Sequence, residues 1–234
     1  MLTAPQFSPA ALETVRDRIV RAAQQAGRDP ASICLVAVSK QHPASMVRAA
    51  YEAGHRDFAE NYVQEGAPKV DELADLADLR WHFIGQLQAN KTREVAARFA
   101  WVHTIDRERI AARLSAQRPH HAPPLQVLLQ VRLGGEPGKG GIAPEALPAL
   151  ATVVSTLPRL RLRGLMCIPP PAGSFEAQRA PFRELRALLT RLNANGHQLD
   201  TLSMGMSDDL EAAIMEGATL VRVGTAIFGP RARP

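Results

Sequence analysis

The chain has 234 residues, 22% of them charged, with a net charge of +5 and a sequence pI near 9.8. Acidic residues are interspersed with arginine almost throughout and aromatics make up only 5%, which argues against a nucleic-acid stripe or a stacking platform for single strands. No apolar run approaches the ~20 residues that span a bilayer, no basic-then-apolar leader opens the chain, and the two cysteines, Cys34 and Cys167, sit inside apolar runs, so a cytoplasmic protein with buried free thiols is expected.

Ser8 stands where it can cap a first helix, whose apolar face of Leu12, Val15, Ile19 and Ala23 runs toward Gly27. This helix, within residues 1–30, precedes any strand and is expected to cover one end of the sheet. Residues 33–40, Ile-Cys-Leu-Val-Ala-Val-Ser-Lys, form an unbroken apolar run that ends in a hydroxyl and an amine. Apolar on both faces and rich in β-branched residues, the run reads as a strand of a parallel sheet covered by helices on each side. His42-Pro43 ends it, and residues 44–53 form a helix closed by Gly54.

Lys40 therefore stands at the carboxyl end of a strand, where barrels and open α/β sheets carry their chemistry. Of the 28 lysines and arginines only four are lysines, Lys40, Lys69, Lys91 and Lys139, and the remaining 24 are arginines. An amine can lose its proton and attack a carbonyl, which a guanidinium cannot. A lysine that simply reaches from a strand end to solvent satisfies the same pattern.

The alternation continues. A short strand at 57–59 opens into Glu60-Asn61-Tyr62, and a helix follows over 63–79 with Pro68 as a kink or restart. Strands at 81–85 and 101–105 precede helices at 87–99 and 106–117, the second capped by Asp106. A proline-bearing linker leads to the longest apolar strand, 125–133, and then to a glycine-rich loop, 134–141. After a helix at 144–157 come a strand at 162–168, a loop stiffened by Pro169, Pro170 and Pro171, and a long helix from Ser174 to Asn195 closed by Gly196. A strand at 199–204, a helix at 207–216 and a strand at 220–223 complete the pattern. Eight strands alternating with helices predict an α/β protein of the (β/α)₈ barrel class, a single domain over residues 1–234 with no second domain left over.

Barrels often bind phosphate with the loops after strands seven and eight. Here those loops carry Met204-Gly205-Met206-Ser207 and Gly224-Thr225. Ser207 is placed to cap the helix that starts at Asp208, and as an ordinary cap it needs no ligand. Arg222 alternates into the barrel with Gly224, and a buried guanidinium requires an acceptor, either a ligand or a barrel carboxylate. The 134–141 loop lacks the spacing of a phosphate loop and reads as a flexible loop with an exposed Lys139. His82 and His103 have no third residue at metal spacing, so both read as core or mouth histidines and no metal is expected.

The blocks Val36-Ala37-Val38-Ser39-Lys40, Glu60-Asn61-Tyr62-Val63-Gln64-Glu65, Trp81-His82-Phe83-Ile84-Gly85, Leu165-Met166, Leu202-Ser203-Met204-Gly205-Met206-Ser207 and the run from Val221 to Gly229 are in order and specific. Over roughly residues 30–230 the chain resembles the pyridoxal 5′-phosphate homeostasis protein family, also called the proline-synthetase co-transcribed family. The resemblance implies a TIM barrel like the N-terminal domain of alanine racemase, with an extra N-terminal helix and with pyridoxal phosphate held as a covalent imine (Schiff base) to Lys40. It further implies that Ser207, Gly224 and Thr225 hold the phosphate, that Arg222 faces the pyridine nitrogen and that Asn61 lines the ring's edge. Gly140 departs from the family pattern, in which a serine is frequent there.

An arginine at the pyridine nitrogen disfavours protonation of the ring, which weakens it as an electron sink. Alanine racemases take a second acid/base from a separate C-terminal domain, and the sequence is expected to lack one. The resulting expectation is a monomeric pyridoxal-phosphate binding protein that contributes to vitamin B6 and amino-acid homeostasis without robust catalysis, with no catalytic residue assigned. Apo forms of pyridoxal-phosphate enzymes are its expected recipients, and Lys139 is a candidate transient acceptor during handover. Two rivals remain from the enzyme class: a small amino-acid racemase using Lys40 and a second residue such as Tyr62 or His82, and a Schiff-base aldolase with no cofactor.

Overall fold

The eight strands close into a ring, which buries one side of each inside the barrel and the other beneath the helices. The structure is a computed structural model and describes residues 7–134 and 140–230. Eight parallel strands follow one another around the barrel in chain order, and the last pairs with the first. They are β1 (Cys34–Val38), β2 (Asp57–Glu60), β3 (Arg80–Phe83), β4 (Trp101–Ile105), β5 (Leu125–Gln130), β6 (Leu160–Met166), β7 (Thr201–Ser203) and β8 (Leu220–Val223). The helices are α1 (Pro9–Gln25), α2 (Ala44–Glu52), α3 (Val63–Glu72), α4 (Thr92–Arg98), α5 (Glu108–Gln117), α6 (Leu147–Thr156), α7 (Phe175–Ala194), α8 (Leu210–Met215) and α9 (Thr225–Phe228).

Because side chains alternate along a strand, each strand serves two cores. Leu35 and Ala37 of β1, Phe83 of β3, and Val221 and Val223 of β8 pack outward with the helices in one large apolar cluster. Val36 and Val38, with Ala59, Ile84, Leu128, Met166 and Leu220, form a second, smaller cluster within the barrel. Polar groups complete that interior: Asp57, His82, His103, Ser203 and Arg222 are all buried.

Several boundaries differ from expectation. The helix expected over 63–79 ends at Glu72, and residues beyond it turn by short bonds such as Leu76 N–H to Leu73 O. Asp75 and Asp78 of that stretch pair with Arg48 and Arg56, contacts that no local propensity reveals. Helix α3 passes through Pro68 without interruption. The long strand expected to Leu133 stops at Gln130, and the strand at 199–204 keeps three residues. Helix α1, expected over one end of the sheet, stands in the outer helical layer against α8 and α9, burying Leu12, Val15 and Ile19. No helix among the described residues is long and apolar enough to cross a membrane.

Candidate functional site

The Ser39 N–H donates to Ala59 O at 3.0 Å and so extends the pairing of β1 with β2 by one residue. The chain then turns, with Lys40 half-buried in the turn and Gln41 at φ +62°, a conformation costly for a non-glycine residue. A buried polar cluster holds this turn from behind. Ser39 Oγ donates to Glu60 Oε1 at 2.6 Å, and the Gln41 N–H donates to Glu65. Lys69 Nζ reaches Glu60 at 2.6 Å, the Ser39 carbonyl at 3.0 Å and Glu65 at 3.1 Å. Burial pushes the Glu60 carboxyl upward, and the Lys69 ammonium opposes that push.

Sequence reasoning passed over Lys69, although its Glu65 partner four residues earlier is a visible helix pair. Its burial was not visible. The two lysines therefore divide the work, with one at the cavity and the other supporting the turn that presents it.

The loop after β7 turns back at Gly205, whose φ of +91° only glycine adopts freely. A Cβ there would lie 2.6 Å from that of Ala213. Ser207 does not cap a helix beginning at Asp208. Helix α8 starts at Leu210 with Asp209 at its N-cap position, and the Asp209 carboxylate accepts from the Met206 N–H at 2.6 Å. A carboxylate is the stronger acceptor, and Asp209 reaches back three residues to the Met206 N–H, in the manner of the return arm of a capping box, which leaves Ser207 in the loop. Arg18 of α1 fastens this loop from outside, donating to the Ser207 carbonyl at 2.8 Å while paired with Glu211. No local signal in the sequence links Arg18 to residues nearly two hundred positions away. After β8, Gly224 passes close to β1: a Cβ there would meet the Val38 carbonyl at 3.1 Å.

Arg222 points into the barrel as its alternation predicted and is 3% exposed. Its acceptors are the Ser203 hydroxyl at 2.6 Å and the Cys167 carbonyl at 2.9 Å, rather than a barrel carboxylate. Burial lowers its pKa from the ordinary arginine value, and the carboxylate of Asp209 counters this. His82 and His103 are satisfied core histidines. The His82 nitrogens meet Asp57 at 3.1 Å and His103 at 2.9 Å, so this ring has no nitrogen to offer at the mouth. Tyr62, the other candidate for a second acid/base, is 57% exposed, at the molecular surface.

One cavity of about 540 Å³ gathers all six sequence-predicted residues, Lys40, Asn61, Ser207, Arg222, Gly224 and Thr225, with Arg18 and His42 beside them. Asn61 is set by the close approach of Gly85, where a Cβ would fall 1.7 Å from the Asn61 carbonyl oxygen. Its side-chain Oδ1 is buried with no hydrogen-bond partner among the described residues. Lys139 lies outside the described residues.

The model of the alanine racemase N-terminal domain family matches residues 11–232 of this closed parallel barrel. The chain is 62% identical over 217 residues to the pyridoxal phosphate homeostasis protein of Pseudomonas aeruginosa, covering 93% of each chain. It is 52% identical over 222 residues to the protein of that name from Escherichia coli K12, covering 94% of this chain and 95% of the relative. Among solved structures, PipY of Synechococcus elongatus PCC7942 with pyridoxal phosphate bound superposes with a TM-score of 0.80 at 41% identity, over 90% of this chain and all of that one. The chain belongs to the pyridoxal phosphate homeostasis protein family.

Proposed function

We propose that the protein binds pyridoxal phosphate in the mouth of the barrel as a covalent imine to Lys40, and that it holds and releases the cofactor in vitamin B6 and amino-acid homeostasis without robust catalysis. The observation that carries this reading is that a strand-end amine, an inward guanidinium and two loop hydroxyls border one cavity. The residues present fit the group: Gly224 and Thr225 border the cavity that also holds the Lys40 amine, and the orphaned Asn61 Oδ1 has an acceptor to offer a ligand.

In this reading Ser207, Gly224 and Thr225 hold the phosphate, Asn61 lines the ring's edge and Arg222 donates to the pyridine nitrogen. Bound pyridoxal phosphate supplies an electrophilic aldehyde and a ring able to withdraw electrons from an attached carbon. Arg222 limits that withdrawal, since a guanidinium in contact with the nitrogen opposes its protonation. The Lys69 cluster keeps the Lys40 turn in place, and Arg18 keeps the Ser207 loop in place. His82 has both ring nitrogens engaged inside the barrel, which speaks against the racemase alternative.

The protein acts in this proposal as a monomeric single-domain barrel, residues 1–234, in the cytoplasm, with apo pyridoxal-phosphate enzymes as recipients. Titration of the purified protein with pyridoxal phosphate should develop a yellow band in the wild type and none in Lys40→Ala. An equal band in the variant would refute the assignment of Lys40. Transfer from the loaded protein to an apo-enzyme, slowed in Lys139→Ala, would support handover through that lysine; an unchanged rate would end that role.

A further inference from the structure

The buried polar groups of the barrel interior form a single chain from mouth to floor. Arg222 Nη1 lies 2.6 Å from Ser203 Oγ, and the same hydroxyl lies 2.9 Å from His103 Nδ1. His103 Nε2 is 2.9 Å from His82 Nδ1, and His82 Nε2 is 3.1 Å from Asp57 Oδ1. None of these five residues is more than 6% exposed.

The two ends determine the direction of every link. A guanidinium can only donate, and an ionised carboxylate can only accept. Asp57 is ionised: burial alone would raise its carboxyl, but the hydrogen bonds from Arg80 and His82 hold it well below the usual carboxylate range. Arg222 therefore donates to Ser203, and the Ser203 proton is committed to His103 Nδ1. His103 must then carry its own proton on Nε2 and donate to His82 Nδ1. His82 in turn carries its proton on Nε2 and donates to Asp57. A neutral His82 protonated on Nδ1 would set a bare nitrogen against the Asp57 carboxylate, and a neutral His103 protonated on Nδ1 would leave the His82–His103 link without a proton.

Neutral rings are what the surroundings favour. Burial lowers the pKa of both imidazoles, with His82 and Arg222 adding to the effect at His103. The charged groups facing the pair are Asp57 and Arg80 at the His82 end and Arg222 at the His103 end. Near Arg222, burial pushes the Cys167 thiol up to about 12, so it remains uncharged.

We propose that Ser203, His103, His82 and Asp57 are positioning residues for Arg222, a hydrogen-bond chain of fixed direction that turns the lone pairs of Ser203 toward the guanidinium and so holds Arg222 against the pyridine nitrogen of bound pyridoxal phosphate. The proposal rests on the cofactor reading given above. Without His103 the Ser203 hydroxyl is free to rotate its proton toward Arg222. Without Asp57 and His82 the tautomer of His103 is no longer determined. A carboxylate at the floor of the barrel thus sets the orientation of a hydroxyl near the mouth, and the logic is that by which a buried aspartate selects the tautomer of a catalytic histidine.

The first test uses the cofactor-free protein, so that it stands whether or not the cofactor reading holds. Long-range proton–nitrogen correlation spectra should show both rings neutral and both protonated on Nε2 from about pH 6 to about pH 8. A ring protonated on Nδ1, or a charged ring, in that range overturns the chain. The second test uses the loaded protein. Ser203→Ala removes one oxygen from a strand interior and should weaken pyridoxal phosphate binding about tenfold, as expected for losing a hydrogen bond to a charged group. His103→Phe should weaken it similarly, and the double variant should bind no worse than the weaker single one, because both break one chain. Wild-type affinity with an unshifted visible band in Ser203→Ala, or additive losses in the double variant, would overturn the positioning role. If His103→Phe does not fold, Ser203→Ala and the wild-type spectra still decide the matter. A Lys40→Ala protein that develops the same band as wild type would instead refute the cofactor reading and leave the tautomer result intact.

Discussion

Lys40 and Lys69 show how position alone separates two identical side chains. Lys40 is legible in the sequence because it ends an apolar strand run in a chain that otherwise favours arginine. Lys69 is not, because its role depends on burial to 6% beside a Glu60 that is fully buried, and burial is a tertiary property. Replacing Lys69 with Met should strand the Glu60 carboxylate and destabilise the protein by about 3–5 kcal/mol. Adding Glu60→Gln to that variant should recover part of the loss. Denaturant midpoints of the three proteins check this, and a Lys69→Met protein as stable as wild type would show that the cluster does not support the Lys40 turn.

At the scale of elements, the order of all eight strands is legible from apolar runs of strand length separated by helical segments, while their ends are not. The strand expected over 199–204 keeps only Thr201–Ser203, since the loop that carries Ser207 must leave the ladder early to turn at Gly205. The helix expected from Asp208 loses its first turn to the Asp209 carboxylate, a competition between side chain and backbone that composition does not decide. Gly205→Ala is expected to combine a disfavoured φ with a 2.6 Å approach to the Ala213 methyl, costing at least about 1–3 kcal/mol. Thermal denaturation should show the loss. Pyridoxal phosphate binding should weaken as well, because the same turn positions Ser207, and unchanged affinity would separate the loop from the phosphate site.

The whole molecule carries a pH signature from its buried histidines. Burial lowers His55 to about 4, and it lowers His82 and His103 as well. Unfolded, each titrates near its ordinary value of about 6.5. Below that pH the unfolded chain binds protons that the folded chain refuses, so stability falls as pH drops, by about 1.4 kcal/mol per unit for each group that stays neutral when folded. Asp57 adds to the decline only in stronger acid, because the stabilisation it contributes is present above about 3.9 and is lost as pH falls through its depressed folded pKa. Urea unfolding at about pH 7.5 and about pH 5.5 should therefore give clearly lower stability at the acid value. Equal stabilities would mean that these rings are charged or exposed. The same closure that buries them brings the ends of β1, β7 and β8 to one mouth, and the assignment of that mouth to pyridoxal phosphate is tested most directly by chemical trapping. The purified protein is loaded with the cofactor, reduced with borohydride and mapped by peptide mass. A yellow band that bleaches, with the pyridoxyl mass on the peptide containing Lys40, is the predicted result; a colourless protein that refuses added cofactor, or a label on any other lysine alone, would contradict it.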